Sequence, residues 1–314
     1  VMHRRIVLGL KRQSALKQSL FAKAVALGRK DYEKPGSLGA VQGVLNRVLE
    51  RLVRDKVRAR FGGRLKAMIS GGAPLNPEVG IFFTALGVRL LQGYGQTEAA
   101  PVISCNPPHK VKLHTVGPAL ERVEVKIAED GEILARGEMI MNGYWNDEAS
   151  TNAVLRDGWL HTGDIGHLDA DGYIQITDRK KDIIVLSGGD NLSPQRVEGM
   201  LTLQPEIGQA MVYGDKHAHL VVLLVPDEDF LREWQGERGT ADDLTALAGD
   251  SDFLKALGDA VDRANSDLSP TERVKRHMLA TAPFTVDNEL MTPTLKVRRH
   301  KVLEIYGAAL EALY

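Results

Sequence analysis

Apolar residues recur at helical spacing through residues 1 to 30 and again through 39 to 60, and KPGSLG at 34 to 39 interrupts them. The pattern predicts two helices joined by a turn. From Leu65 the period changes. The short apolar runs LKAMIS and VRLLQGYG flank a helical stretch that opens at Asn76-Pro77, which predicts strands feeding loops in an α/β domain. Within residues 115 to 178, VEVKIAEDGEILARG and DADGYIQITD alternate around Asp-Gly turns, so a small antiparallel β subdomain is expected there. After DRKKD at 178 to 182, the segments IIVLSGGDNLSPQRVEGML and GQAMVYGDKHAHLVVLLVP predict two strand pairs around a helix starting near Ser193-Pro194. A polar, helix-favouring insertion is expected from Asp227 to about Glu272. No internal repeat or low-complexity tract interrupts this order.

The chain of 314 residues, 43% of them hydrophobic, is long enough for two domains with sizeable cores. A formal net charge of -1 argues against a general nucleic-acid binder, yet residues 1 to 66 hold 17 Lys and Arg against 4 Asp and Glu. That basic stretch leaves two readings open, an ordinary solvated surface and peripheral contact with an anionic membrane. The single Cys105 excludes an intramolecular disulfide and suits a reducing compartment, with the cytoplasm as the expected location. No run approaches the roughly 18 consecutive apolar residues of a membrane span, and no cleavable signal pattern is present. The helical pattern is already under way at Val1, so the protein is expected to continue upstream.

Four segments could carry chemistry. LQGYGQTEAA at 91 to 100 ends a strand in Gly93-Tyr94-Gly95-Gln96. There a phenol can stack on a base, the Thr97 hydroxyl can bond a phosphate oxygen, and the Glu98 carboxylate can hold Mg²⁺. The same residues also describe a plain loop with a buried tyrosine and a surface glutamate. SGGAPLNPE at 70 to 78 places Gly71, Gly72, Ala73 and Pro74 in a turn whose backbone could line a nucleotide pocket or could simply join a strand to a helix. Asp164, after a Thr-Gly turn, and Arg179 can hold a ribose and its phosphate, or can be a turn cap and a surface cation. Lys296 lies in a Thr- and Pro-rich loop before a basic helix. His217 and His219 lack a third ligand and are expected on a surface turn. Neither HExxH, CxxC nor GxxxxGK[ST] occurs.

In their order and spacing these segments resemble the adenylate-forming superfamily of acyl-CoA synthetases, peptide-synthetase adenylation domains and luciferases. YGQTE at 94 to 98, GEILARGEMIMNGYWND at 131 to 147, WLHTGD at 159 to 164, DRKKDIIVLSGGDNLSP at 178 to 194 and TPTLKVRR at 292 to 299 carry the resemblance. GGAPL, LQGYGQTE and TPTLK are most similar to the long-chain fatty acyl-CoA synthetase branch. The resemblance implies an α/β fold in which residues 1–180 are the C-terminal part of a large AMP-binding domain with its β subdomain. Residues 181–314 would be a mobile small α/β domain, with a hinge at Lys181. It also implies two steps, a fatty acid with ATP and Mg²⁺ giving acyl-AMP, then transfer to coenzyme A. In these steps Tyr94 meets adenine, Thr97 the α-phosphate, Glu98 Mg²⁺, and Asp164 and Arg179 the ribose. Gly71, Gly72, Ala73, Pro74, Gly93, Gly95 and Gln96 line the nucleotide pocket. Ser187, Gly188 and Gly189 pass the pantetheine arm, and Lys296 bridges the carboxylate and α-phosphate. One departure stands out: nothing in the chain matches the family's Ser/Thr/Gly-rich phosphate loop. Two alternatives follow, an adenylate-binding fragment without activity and a fatty acyl-AMP ligase that serves a carrier protein.

Overall fold

Residues 2–238 and 244–314 are described by a computed structural model, and the chain divides into two units, Val1–Thr177 and Asp178–Tyr314.

The first unit opens with α1 (Met2–Lys11), α2 (Ala15–Glu33), α3 (Ala40–Leu49), a π-helical turn at Glu50–Arg54 and α4 (Asp55–Arg60). The expected first helix is therefore two, because the backbone turns extended at Ser14 (φ -60°, ψ 150°). Ala24, Leu49 and Val53 from these helices pack against Phe82, Phe83, Leu86 and Val88 of the α5 region (Pro77–Ala85). Arg54 is buried among them, and its guanidinium donates to the carbonyls of Ala85 (2.6 Å) and Ala24 (2.9 Å) and to Asn46 Oδ1 (2.8 Å). A cation this deep is tolerable because its donors are met, and it ties three helices together.

Helix α5 begins where expected, with Asn76 Oδ1 accepting from the Glu78 amide (2.9 Å) and Pro77 in the first turn. It is the crossover between parallel strands β1 (Met68–Ser70) and β2 (Leu90–Gly95), and β3 (Val102–Cys105) returns antiparallel to β2. At Gly95 an added Cβ would lie 1.7 Å from the Pro101 carbonyl oxygen, so only glycine allows the two strands to approach. The antiparallel subdomain follows: β4 (Glu124–Ile127), β5 (Glu132–Arg136), α6 (Glu148–Val154), β6 (Leu155–Arg156), β7 (Trp159–Leu168) and β8 (Ile174–Arg179). Its strand order is β4-β5-β7-β6, with β8 also pairing β7.

In the second unit, β9 (Ile184–Val185) and β10 (Asn191–Leu192) form a short hairpin before α7 (Pro194–Leu201), which Ser193 caps by accepting from the Arg196 amide (3.2 Å). Strands β11 (Ile207–Tyr213) and β12 (Leu220–Pro226) pair antiparallel, and β13 (Val274–Leu279) lies parallel to β12. Every residue of β12 is buried. Leu220, Val222 and Leu224 face a core with α7 and α10 (Ser251–Ser266), whereas Val221, Leu223 and Val225 face α11 (Arg299–Glu311).

The stretch after Asp227 is helical as expected, with α8 (Glu228–Arg238), α9 (Leu244–Leu247) and α10, but it is not a polar appendage. Phe253, Leu257, Ala260, Val261 and Ala264 form a stripe on α10 that supplies much of the unit's core. Residues 239–243 of that stretch lie outside the described residues.

Candidate active site

The two segments expected to hold a nucleoside meet in the first unit. The Tyr94 hydroxyl, at the end of β2, donates to Asp164 Oδ2 at 2.6 Å. Both side chains are buried, at 8% and 5% exposure, and the Tyr94 ring belongs to an apolar cluster with Ile103, Ile133 and Leu160. Strand β7 explains how a carboxylate comes to point inward: Leu160, Thr162 and Asp164 alternate on its buried face. The Thr-Gly expected to turn the chain does not. Gly163 adopts φ +71° inside one continuous strand, and the pairing with β5 slips between Glu132 and Leu134. This is a β-bulge, which re-aims the side chain that follows it. Glu132 braces the bulge, one carboxylate oxygen accepting from the Gly163 amide (2.9 Å) and the other lying 3.2 Å from His161 Nδ1.

Thr97 and Glu98 occupy a single 3₁₀ turn, Thr97–Ala99, directly after β2. Thr97 is exposed and Glu98 half-buried. The Glu98 carbonyl accepts from the Met141 amide (2.9 Å), and its carboxylate Oε1 accepts from the Tyr144 hydroxyl at 2.7 Å. Gly71, Gly72, Ala73 and Pro74 form an exposed loop after β1. A Cβ added at Gly71 would sit 3.2 Å from the Gly93 carbonyl, so the loop lies beside the end of β2.

In the second unit, Arg179 opens a turn, its carbonyl accepting from the Asp182 amide (2.9 Å), and Lys181 is exposed on that turn. Ser187, Gly188 and Gly189 are exposed between β9 and β10. Gly189 has φ +90°, a conformation open to glycine and strained for other residues, and nothing lies within 4 Å of where its Cβ would be. The Ser187 amide donates to the His217 carbonyl (2.9 Å). His217 is not a bare surface residue: its ring stacks on Tyr314 (centroids 3.7 Å apart) and its Nε2 is 3.2 Å from Glu311 Oε1.

Lys296 is exposed in a turn held through its backbone: its carbonyl accepts from the Thr292 amide (2.8 Å), and its amide donates to Thr292 Oγ1 (3.1 Å). Among the described residues its ammonium has no partner. Three residues on, Arg299 anchors the segment. Its guanidinium donates to Glu198 Oε1 and to the Val212 carbonyl (2.9 Å), while Glu198 accepts from the Val212 amide (2.8 Å). Burial raises the Glu198 carboxyl above the usual range, although Arg299 and the Val212 amide pull it down. Asp178 is also raised, chiefly by burial.

Tyr144, Glu132 and the Glu198–Arg299 pair were not singled out from sequence. Only the ordinary Tyr and Glu within GEILARGEMIMNGYWND hinted at the first two. No group of three or more His, Cys, Asp or Glu among the described residues could cage a metal. A lone carboxylate such as Glu98 fits Mg²⁺ brought in on nucleotide phosphates, which binds through one or two carboxylates.

The sequence model of the AMP-binding enzymes matches residues 24–145, and that of the AMP-binding enzyme C-terminal domain matches residues 181–314. The chain belongs to the AMP-binding enzyme family. It is 36% identical over 281 residues to the long-chain-fatty-acid–CoA ligase FadD15 of Mycobacterium bovis, which covers 89% of this chain and 47% of that protein. The human long-chain-fatty-acid–CoA ligase 1 is 32% identical, over 86% of this chain and 41% of its own length. The chain thus spans about half the length of these relatives. Among solved structures, the A-PCP didomain of carboxylic acid reductase from Segniliparus rugosus, in complex with AMP, superposes with a TM-score of 0.67 at 25% identity, covering 94% of this chain and 40% of that one. The o-succinylbenzoate coenzyme A synthetase of Bacillus subtilis, in complex with ATP and magnesium ion, superposes at 0.56, also at 25% identity, over 75% and 46%. The fold is thus the mixed α/β fold of adenylation domains.

Proposed function

We propose that this chain carries the adenylate platform and the thioester-forming domain of a cytoplasmic long-chain fatty acid–CoA ligase. The observation that supports it best is the Tyr94–Asp164 hydrogen bond, which joins two nucleoside motifs 70 residues apart at one buried carboxylate. Residues 1–180 form the platform and 181–314 a domain that turns about Lys181.

In the first step a fatty carboxylate oxygen attacks the α-phosphorus of ATP and the bond to pyrophosphate breaks. Adenine stacks at the edge of Tyr94, lined by Gly71, Gly72, Ala73, Pro74, Gly93, Gly95 and Gln96, while Asp164 accepts from the ribose hydroxyls and Arg179 donates to the ribose. Thr97 donates to the α-phosphate. Lys296 lies between carboxylate and phosphate, where a fixed cation offsets their repulsion and the charge developing in the transition state. Bound Mg²⁺ neutralises phosphate charge, and Glu98 would hold it. In the second step the coenzyme A thiol gives its proton to solvent and attacks the acyl carbonyl, and the acyl carbon–oxygen bond to the phosphate breaks to release AMP. Ser187, Gly188 and Gly189 admit the pantetheine arm.

The test is ATP- and palmitate-dependent acyl-CoA formation, followed by mass spectrometry, in this chain and in the chain extended at its N-terminus. Product in either form supports the reading. Acyl-AMP without acyl-CoA would favour the acyl-AMP ligase alternative, and nucleotide binding without product the inactive fragment.

Peripheral membrane contact belongs to the same proposal. No described helix is long and apolar enough to cross a membrane. Helix α3 and the turn after it nevertheless expose Val41, Val44, Val48 and Leu52 at helical spacing, with Arg47 and Arg51 alongside. Flotation with anionic liposomes that fails to exceed flotation with neutral ones ends that part.

A further inference from the structure

We propose that Tyr144 is a positioning residue for the carboxylate of Glu98, fixing one oxygen so that the other is presented to a divalent cation on the nucleotide phosphates. The inference rests on the reading of Glu98 as the cation's protein ligand and deepens it.

Tyr144 and Glu98 are 46 residues apart in sequence, and two hydrogen bonds join the segments that carry them. The phenol donates to Glu98 Oε1 at 2.7 Å, and the Met141 amide donates to the Glu98 carbonyl at 2.9 Å. The side-chain bond fixes the carboxylate and the backbone bond fixes the 3₁₀ turn that carries it. Glu98 Oε2 has no hydrogen bond among the described residues, so the carboxylate is half committed. One oxygen belongs to the protein and one is available.

The phenol is itself held. The Tyr144 amide donates to Thr151 Oγ1 (2.9 Å), and the Thr151 hydroxyl donates to the Asp147 carbonyl (2.7 Å), which locks the GYWND turn to the start of α6. Gly143 lies against Thr151 so closely that an added Cβ would meet its Cγ2 at 2.8 Å.

Mg²⁺ demands near-ideal octahedral geometry at short distance, so a carboxylate free to rotate loses conformational entropy on binding it. Partners that orient a metal ligand typically contribute 10- to 100-fold to affinity. Tyr144 is the only side chain among the described residues that bonds the Glu98 carboxylate, so the effect should be concentrated there.

The experiment measures binding of a non-hydrolysable ATP analogue to the full chain, with Mn²⁺ (detected by electron paramagnetic resonance) and with the metal chelated. Wild type, Tyr144→Phe and Glu98→Gln are compared after their melting temperatures are matched. The expected result is a Mn²⁺-dependent gain in affinity that falls about 10-fold in Tyr144→Phe and disappears in Glu98→Gln, while metal-free binding is the same in Tyr144→Phe as in wild type. A merely structural role would weaken metal-free binding as well. An unchanged metal-dependent gain in Tyr144→Phe overturns the positioning role but leaves Glu98 as the ligand. Absence of any gain in wild type overturns both, and so separates failure of this inference from failure of the reading beneath it.

Discussion

The two units hold their candidate functional groups in opposite ways. In the first, the carboxylates are held by their side chains: Asp164 accepts from Tyr94 in a buried setting and Glu98 accepts from Tyr144. In the second, Lys296 and Ser187–Gly189 are exposed, and the segments that bear them are fixed through the backbone, by Thr292 and by the His217 carbonyl. A preorganised anion lowers the cost of binding a nucleoside before reaction. The contrast teaches that rigidity sits at the side chain in one unit and one step back from it in the other.

The largest expected effect probes that brace. Arg299→Met strands Glu198 as a largely buried charge without its partner, and should destabilise the second unit by about 3 kcal/mol, read by chemical denaturation. Adding Glu198→Leu should recover part of the loss, since it removes the unpaired charge but leaves the buried Val212 amide and carbonyl without the partners that Glu198 and Arg299 supply. If the single variant is as stable as wild type, the Lys296 segment is not anchored there.

Next comes Lys296→Ala, which leaves stability unchanged because the ammonium has no partner among the described residues. It should slow acyl-AMP formation by about 100-fold or more in the N-terminally extended form, with far less effect on thioester formation from supplied acyl-AMP. Equal loss of both steps contradicts the role given to Lys296. In the first unit, Asp164→Asn should weaken AMP binding by about 1.5–3 kcal/mol, the worth of a charge-assisted hydrogen bond, as titration calorimetry would record.

The smallest effect is purely electrostatic. Lys112 pairs with Asp169 and Asp171, and its hydrogen bond lowers the Asp169 carboxyl to about 2. A carboxyl lowered on folding stabilises above its unfolded value and loses that contribution as it protonates. Lys112→Met should therefore melt lower than wild type at neutral pH, and the gap should close as pH falls from about 4 through about 2. A gap that persists below pH 2 points to lost packing over the Tyr173 ring, 4.5 Å from the Lys112 ammonium.

Legibility in the sequence followed the range of the interaction. The seven-residue apolar run of β12 and the caps at Asn76 and Ser193 are local and read directly. Strand β13 does not stand out because Lys275 and Arg276 interrupt its apolar pattern. The bulge at Gly163 reads as a turn because a bulge exists only relative to the partner strand. Tyr94, Glu98 and Asp164 could be named from their motifs, but their partnerships could not. The pairs Tyr144–Glu98 and Arg299–Glu198, 46 and 101 residues apart, are products of folding.

The most direct test of the central claim is calorimetric titration of this chain with a non-hydrolysable palmitoyl-adenylate analogue, wild type beside Asp164→Asn. The account predicts binding by wild type that Asp164→Asn weakens at least about tenfold without lowering the melting temperature. No binding by wild type, or equal binding by both, would contradict it.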